Sequence, residues 1–266
     1  ILGLNCYHAD SSACIFVDNK LEFGIEEERL NRKKNWYGIP YLSINKLLRD
    51  CKIKISEIDF FATHGLAAIN KDVPNIRDFE TKIIKINNSN LSKKNKISLI
   101  KKINERKIHE KKVTQFRTNK IIKELQKKYK KLNIYDHHKS HAASAYFFSN
   151  FKECYSLTID GWGDNASSKL FYCKGGRIEE CRRTSTIDSL GYFYGSITKL
   201  LGFTPHKHEG KVLGLAAFSN PKIAYREISK LICFNRKTKN FEGSTEKGIY
   251  LPRFDNDRLN YLLKKF

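Results

Sequence analysis

The sequence predicts an α/β fold, and three observations carry that expectation. Apolar runs of strand length alternate with segments whose apolar residues recur at helical spacing. A strand, a polar or Gly-rich turn and a hairpin follow one another twice along the chain. With 266 residues, 40% hydrophobic and 12% aromatic, there is enough apolar surface for one large domain or two moderate ones.

Residues 1–5 read as a first strand, followed by the polar turn Cys6-Tyr7-His8-Ala9-Asp10-Ser11-Ser12. Residues 13–17 and 21–25 form a hairpin across Asp18-Asn19-Lys20, residue types that tolerate a tight turn, and Glu26-Glu27-Glu28 closes it. Pro40 opens a helix over 41–48, and 58–62 reads as a buried strand ending at Thr63-His64-Gly65. Beyond a basic stretch, 132–135 is a short strand that runs into a helix reaching 148. The opening pattern then returns: a strand over 154–160, the Gly-rich turn Gly161-Trp162-Gly163-Asp164, a strand over 169–173, a turn at Gly175-Gly176 and a strand over 177–183. Such a duplication is expected of an actin-like ATPase fold, two ribonuclease H-like halves whose hairpins hold a nucleotide's phosphates between them. A helix over 190–201 stops at Gly202, and the loop Thr204-Pro205-His206-Lys207-His208-Glu209-Gly210-Lys211 crowds titratable groups together. An apolar run over 212–218 and helices over 224–234 and 255–266 complete the pattern. The expected divisions are 1–70 as the first actin-like segment, 71–131 as a basic helical insertion, and 132–266 as the continuation carrying metal and nucleotide motifs.

The formal net charge of +22 is unevenly placed. Residues 71–131 hold 20 Lys plus Arg against 6 Asp plus Glu, a difference of 14. Within them Ile121, Ile122, Leu125 and Tyr129 recur at helical spacing, so amphipathic helices with a solvated Lys face are expected rather than a nucleic-acid surface. No apolar run approaches the roughly 20 residues that cross a bilayer, and the opening residues do not make a signal peptide. A cytoplasmic protein with no membrane partner is expected. The seven cysteines form no C-x-x-C pair and read as small buried residues. The chain has no methionine, begins inside an apolar run and stops within a helical pattern, so it is expected to be a piece of a longer protein.

Asp136-His137-His138-Lys139-Ser140-His141 is the most informative stretch. With a helix starting near His137, His137 and His141 project from one face, as two ligands of one ion must, and His138 points elsewhere. The same spacing also suits histidines that only cap the helix or fill the core.

Five segments, in order, resemble the amino-terminal domain of the nodulation-factor and antibiotic carbamoyltransferase family. They are Gly3-Leu4-Asn5-Cys6-Tyr7-His8-Ala9-Asp10-Ser11-Ser12-Ala13, Glu26-Glu27-Glu28-Arg29-Leu30-Asn31-Arg32-Lys33-Lys34, Asp136-His137-His138-Lys139-Ser140-His141-Ala142, Asp160-Gly161-Trp162-Gly163-Asp164 and Glu209-Gly210-Lys211-Val212-Leu213-Gly214-Leu215-Ala216. The last has Leu213 where the family has Met. The resemblance implies an enzyme that joins carbamoyl phosphate and ATP, its co-substrate, into carbamoyl adenylate and passes the carbamoyl group to a hydroxyl of a small acceptor such as a sugar. It implies a divalent metal, iron(II) by the donor set, on His137, His141 and Asp160. It also implies a further aspartate ligand and a YrdC-like domain beyond residue 266, without which this piece is not expected to be active alone.

Gly161, Trp162, Gly163 and Asp164 are the expected nucleotide contacts, glycine letting backbone N–H groups approach phosphate. Asp164 stands where the family more often has Glu, and a plain hairpin turn is the alternative for this segment. His8 and Asp10 are the candidate bases for deprotonating the acceptor hydroxyl, with Ala9 between them where relatives have His-Asp adjacent. Arg29, Lys33, Glu209 and Lys211 are the candidate substrate-binding residues, although Arg29 and Lys33 also suit pairing with Glu26 to Glu28. A homodimer is left open. Two alternatives stand beside this reading, a relative of the tRNA threonylcarbamoyladenosine-forming protein and a noncatalytic nucleic-acid-binding protein acting through the basic region.

Overall fold

The opening apolar run forms strand β1 (Leu2–Asn5) in a computed structural model that describes residues 1–8, 10–65, 76–129, 131–243 and 264. The chain clusters into two units, one of Ile1–Lys71 with Lys112–Ser140 and one of Asp72–Lys111 with His141–Phe266.

In the first unit β1 pairs antiparallel with β2 (Ser12–Val17), which pairs antiparallel with β3 (Lys20–Glu26). Asp18 and Asn19 turn the hairpin with φ of 48° and 65°, the left-handed pair that a tight hairpin of this hand requires. Helices α1 (Glu27–Asn31) and α2 (Tyr41–Asp50) follow. Strands β4 (Phe61–His64) and β5 (Leu132–Tyr135) then extend the sheet in parallel with β1, giving the order β3-β2-β1-β4-β5. Alternate residues of β1, Leu2 and Leu4, enter a core with Ile15, Ile44, Leu47, Phe61, Leu125 and Tyr129. The strand expected over 58–62 begins three residues later. A 3₁₀ turn at Ile55–Glu57 precedes it, closed by Ile58 N donating to Ile55 O, and Ile58 is buried as its anchor.

The basic region is helical: α3 (Ile76–Asn87) and α4 (Lys93–Lys120), continued by a π-helical stretch over Ile121–Gln126. Its cations do not all face water. In the second unit Lys82 Nζ is buried 2.8 Å from Asp188 Oδ1, and Arg106 Nε is buried 2.7 Å from Glu110 Oε1. Beside them Phe79, Ile86, Leu99 and Ile103 pack with Ile187. The expected solvated face is therefore interrupted by cations paired in the interior.

Helix α5 (His137–Phe147) links the two units and packs Ala142 and Tyr146 against Phe171 and Cys173 of the second. Those two residues lie on the middle strand of an antiparallel sheet of order β6-β7-β8, made of Glu153–Gly163, Ala166–Lys174 and Arg177–Thr184. Here the structure corrects the sequence: Gly161, Trp162 and Gly163 are not a turn. Strand β6 runs through them with an irregularity between Ile159 and Gly163, and the chain reverses at Asp164-Asn165, with φ of 43° and 65°. Helix α6 (Leu190–Leu200) ends before Gly202, whose φ is +81°, and α7 (Glu209–Ala216) takes up most of the apolar run expected over 212–218.

The helix expected over 224–234 is also corrected. Asn220 Oδ1 accepts from Lys222 N and Pro221 sits at the first helical position, so α8 (Pro221–Ile228) starts earlier and is shorter. Residues Ile232–Asn235 form β9, paired with β10 (Asn240–Gly243), because the β-branched and aromatic run Ile232-Cys233-Phe234 finds a partner strand. The helix expected over 255–266 lies outside the described residues except for Lys264. All seven cysteines are free. No helix among the described residues is long and apolar enough to cross a membrane.

Candidate metal and transfer site

Asp136 caps α5. Its Oδ1 accepts from Lys139 N at 2.8 Å, and its carbonyl accepts from Ser140 N and Oγ, both at 2.9 Å. The histidines are thereby released from the capping role that their position also allowed. His137 and His141 stand one turn apart on this helix, His137 buried and His141 exposed, while His138 is fully buried. In the second unit β6 brings Asp160 Oδ2 to 3.7 Å from His141 Nε2, and Asp160 Oδ1 accepts from Gly161 N at 2.7 Å. One ligand atom from each of His137, His141 and Asp160 lies within 4.8 Å of the others.

Two imidazoles and a carboxylate form a donor set that suits iron(II), zinc or a similar divalent ion. Such ions hold ligands at about 2.0–2.1 Å, so two ligands of one ion are at most about 4.2 Å apart. The observed spread is wider by a few tenths of an ångström, and the His141 side chain, 55% exposed, has room to turn inward. The residues fit a metal.

In the first unit the turn after β1 is tightly wound, with Tyr7 and Asp10 at φ of 53° and 64°. It delivers His8 to two other imidazoles, its ring centroid 5.8 Å from that of His64 and 6.2 Å from that of His137. Asp10 is directed elsewhere: Oδ1 accepts from Asn35 Nδ2 at 3.0 Å, and its carbonyl accepts from Asn5 Nδ2. The segment carrying Lys33 is tied to the same turn, since Ser11 N donates to Trp36 O and Tyr7 N to Gly38 O. The first two sequence boxes are thus neighbours in space.

Residues 1–254 match the family described as carbamoyltransferase N-terminus. The chain belongs to that family. An uncharacterised protein of Methanocaldococcus jannaschii is 30% identical over 220 residues, covering 82% of this chain and 33% of the relative. An uncharacterised protein of Synechocystis is 29% identical over 228 residues, with coverages of 84% and 35%. Nodulation protein NolNO of Sinorhizobium fredii is 30% identical over 217 residues, with coverages of 82% and 29%. The chain spans about a third of the length of these relatives.

The other candidate residues of this carbamoyltransferase-family chain are placed as follows. Arg29 reaches Glu26 Oε2 at 2.9 Å and Glu28 Oε1 at 3.8 Å, so the pairing its neighbours allowed is formed. Lys33 Nζ instead lies 5.5 Å from the centroid of the Trp36 ring. In the second unit Glu209 Oε1 accepts from His206 N at 2.7 Å, and Lys211 Nζ lies 5.9 Å from the Phe203 ring centroid. Gly161 and Gly163 are strand residues, Trp162 lies between them, and Asp164 is a turn residue.

Two residues escaped the sequence reading. His64, noted only as the end of a strand, joins the imidazole cluster. A titratable residue at the carboxyl end of a strand flanked by parallel neighbours was the available signal, because open α/β sheets bind ligands there. Glu27, read as part of an acidic run, is buried against α2.

Proposed function

We propose that this chain is the amino-terminal part of an O-carbamoyltransferase of actin-like fold, which forms carbamoyl adenylate from carbamoyl phosphate and ATP and transfers the carbamoyl group to an acceptor hydroxyl. The observation that carries the proposal is the convergence of His137, His141 and Asp160 in a chain of the carbamoyltransferase N-terminus family. The order β3-β2-β1-β4-β5, three antiparallel strands continued by two parallel ones, supports the actin-like reading of the first unit. The antiparallel trio β6-β7-β8 supports a second half begun in the same way.

His137, His141 and Asp160 hold the divalent ion in this reading, and iron(II) suits their donor set. When bound, it supplies positive charge to phosphate oxygens. The backbone around Gly163 and Asp164 contacts the nucleotide, since the Gly161 N–H is taken by Asp160 Oδ1, and Lys33, Glu209 and Lys211 bind the polar substrates.

His8 is the base. It takes the proton of the acceptor hydroxyl onto a ring nitrogen while the hydroxyl oxygen attacks the carbamoyl carbon and AMP leaves with the electron pair of the broken C–O bond. The choice of His8 over Asp10 is supported by the grouping of His8 with His64 and His137, while the Asp10 carboxylate is engaged with Asn35. Use of ATP and carbamoyl phosphate places the reaction in the cytoplasm.

Full-length protein supplied with ATP and carbamoyl phosphate is expected to release pyrophosphate only when both are present. Release should persist in His8→Ala while transfer to an acceptor is lost. Absence of carbamoyl phosphate-dependent pyrophosphate release from the intact protein would refute the proposal.

A further inference from the structure

In the first unit Asn5, His64 and His137 make a line of hydrogen-bonding groups whose proton positions follow from one another. Asn5 Nδ2 donates to Asp10 O at 3.0 Å, which fixes the end of the Asn5 amide that carries oxygen. Asn5 Oδ1, an acceptor only, lies 2.8 Å from His64 Nε2. His64 must therefore carry a hydrogen on Nε2, and a neutral imidazole protonated there has its lone pair on Nδ1. That atom lies 3.4 Å from His137 Nδ1. With both rings neutral, two lone pairs facing each other would repel, and the arrangement that avoids this has His137 carrying its hydrogen on Nδ1 and donating it to His64. The remaining lone pair of His137 is then on Nε2.

We propose that His64, held by Asn5, is a positioning residue that fixes His137 in the Nδ1–H tautomer and so offers the His137 Nε2 lone pair to the metal. The inference rests on the metal reading for its consequence, while the tautomer itself belongs to the metal-free protein. The physical reason is general. A ligating imidazole needs its second nitrogen held by an acceptor, which sets both ring orientation and the nitrogen that binds, and losing that acceptor typically costs about 10- to 100-fold in metal affinity. An imidazole acceptor inside the fold does this without adding a negative charge next to the ion.

The first test needs no substitution. In metal-free protein labelled with ¹⁵N-histidine, two-bond ¹⁵N–¹H correlations should show His137 as the Nδ1–H tautomer and His64 as the Nε2–H tautomer. His137 found as Nε2–H would overturn the proposal.

The second test titrates Fe(II) anaerobically into wild type, His64→Ala, His64→Asn and Asn5→Leu. His64→Ala should bind about 10- to 100-fold more weakly. His64→Asn, which returns an acceptor oxygen near the position of Nδ1, should recover part of that loss, and Asn5→Leu should weaken binding by acting through His64. Wild type and His64→Ala binding Fe(II) equally would remove the positioning role and leave the metal reading standing. Wild type binding no Fe(II) would instead remove the metal reading and this inference with it.

Discussion

Glu27 is 3% exposed, and its two carboxylate oxygens accept from Leu42 N, Ser43 N and Ser43 Oγ at 2.8–3.1 Å. It thereby caps α2, whose own N-cap residue, Pro40, has no side chain to do so. Glu27→Ala should lower stability by about 1–2 kcal/mol, read from the denaturant midpoint, because two backbone donors lose their acceptor. An unchanged midpoint would contradict this. The neighbouring Glu26 and Glu28 belong to the same acidic run and are half-buried, and nothing local separates the fully buried carboxylate from them; only the packing of α2 does. Cys6 illustrates the opposite case: it and Cys173 are buried as expected from the sequence, whereas Cys14, Cys51, Cys154 and Cys181 are only partly buried and Cys233 is exposed. Burial pushes the Cys6 thiol up to about 12, so it stays neutral at pH 8. Native-state alkylation followed by mass spectrometry should label the exposed Cys233 well before Cys6, and equal rates would show that Cys6 is open to solvent.

At the scale of elements, the start of α6 is built against the end of β6. Ser189 Oγ reaches Asp160 O at 3.2 Å and Gly161 O at 2.8 Å, and also caps Tyr192 N. A Cβ added at Gly191 would lie 2.5 Å from Gly161 N and 2.6 Å from the Asp160 carbonyl carbon and oxygen, contacts that backbone cannot yield cheaply. Gly191→Ala should therefore destabilise the fold by about 1–3 kcal/mol and move Asp160 away from His141. Gly214→Ala, whose Cβ meets nothing within 4 Å, should do neither. Thermal unfolding of the two variants tests this, and equal melting temperatures would refute it.

The same packing explains why Gly161-Trp162-Gly163 looked like a turn. Gly161 answers the close approach of Tyr192 on α6, whereas the actual turn at Asp164-Asn165 uses residue types that tolerate left-handed backbone. The hairpin of β2 and β3, β5, and the helix start at His137 were legible because periodicity and turn chemistry are local. The β9–β10 pair was not, since Ile232-Cys233-Phe234 suits helix or strand equally until its partner is known.

For the whole molecule, each unit carries its own antiparallel trio of strands. In the first, β1 is bonded on both sides, by β2 and β4. In the second, β6 ends the sheet among the described residues and exposes Tyr155, Leu157 and Ile159 by 69%, 56% and 51%. Long apolar edge strands left open promote association. Leu157→Lys in this chain should reduce self-association, followed by sedimentation velocity, with little loss of secondary structure; unchanged association would show that this face is not the adhesive one. The two antiparallel trios were visible in the sequence as two strand–turn–hairpin runs. Strand order was not, because register across distant segments has no local signature.

His137, His141 and Asp160, each offering one ligand atom within 4.8 Å of the others, decide whether the protein holds a metal. Bound iron should be measured by elemental analysis in anaerobically prepared full-length protein and in the His137→Ala, His141→Ala and His138→Ala variants. The first two variants should lose most of the iron while His138→Ala, altered at a buried position off the ligand face, should keep more. Equal iron in wild type and all three variants would contradict this.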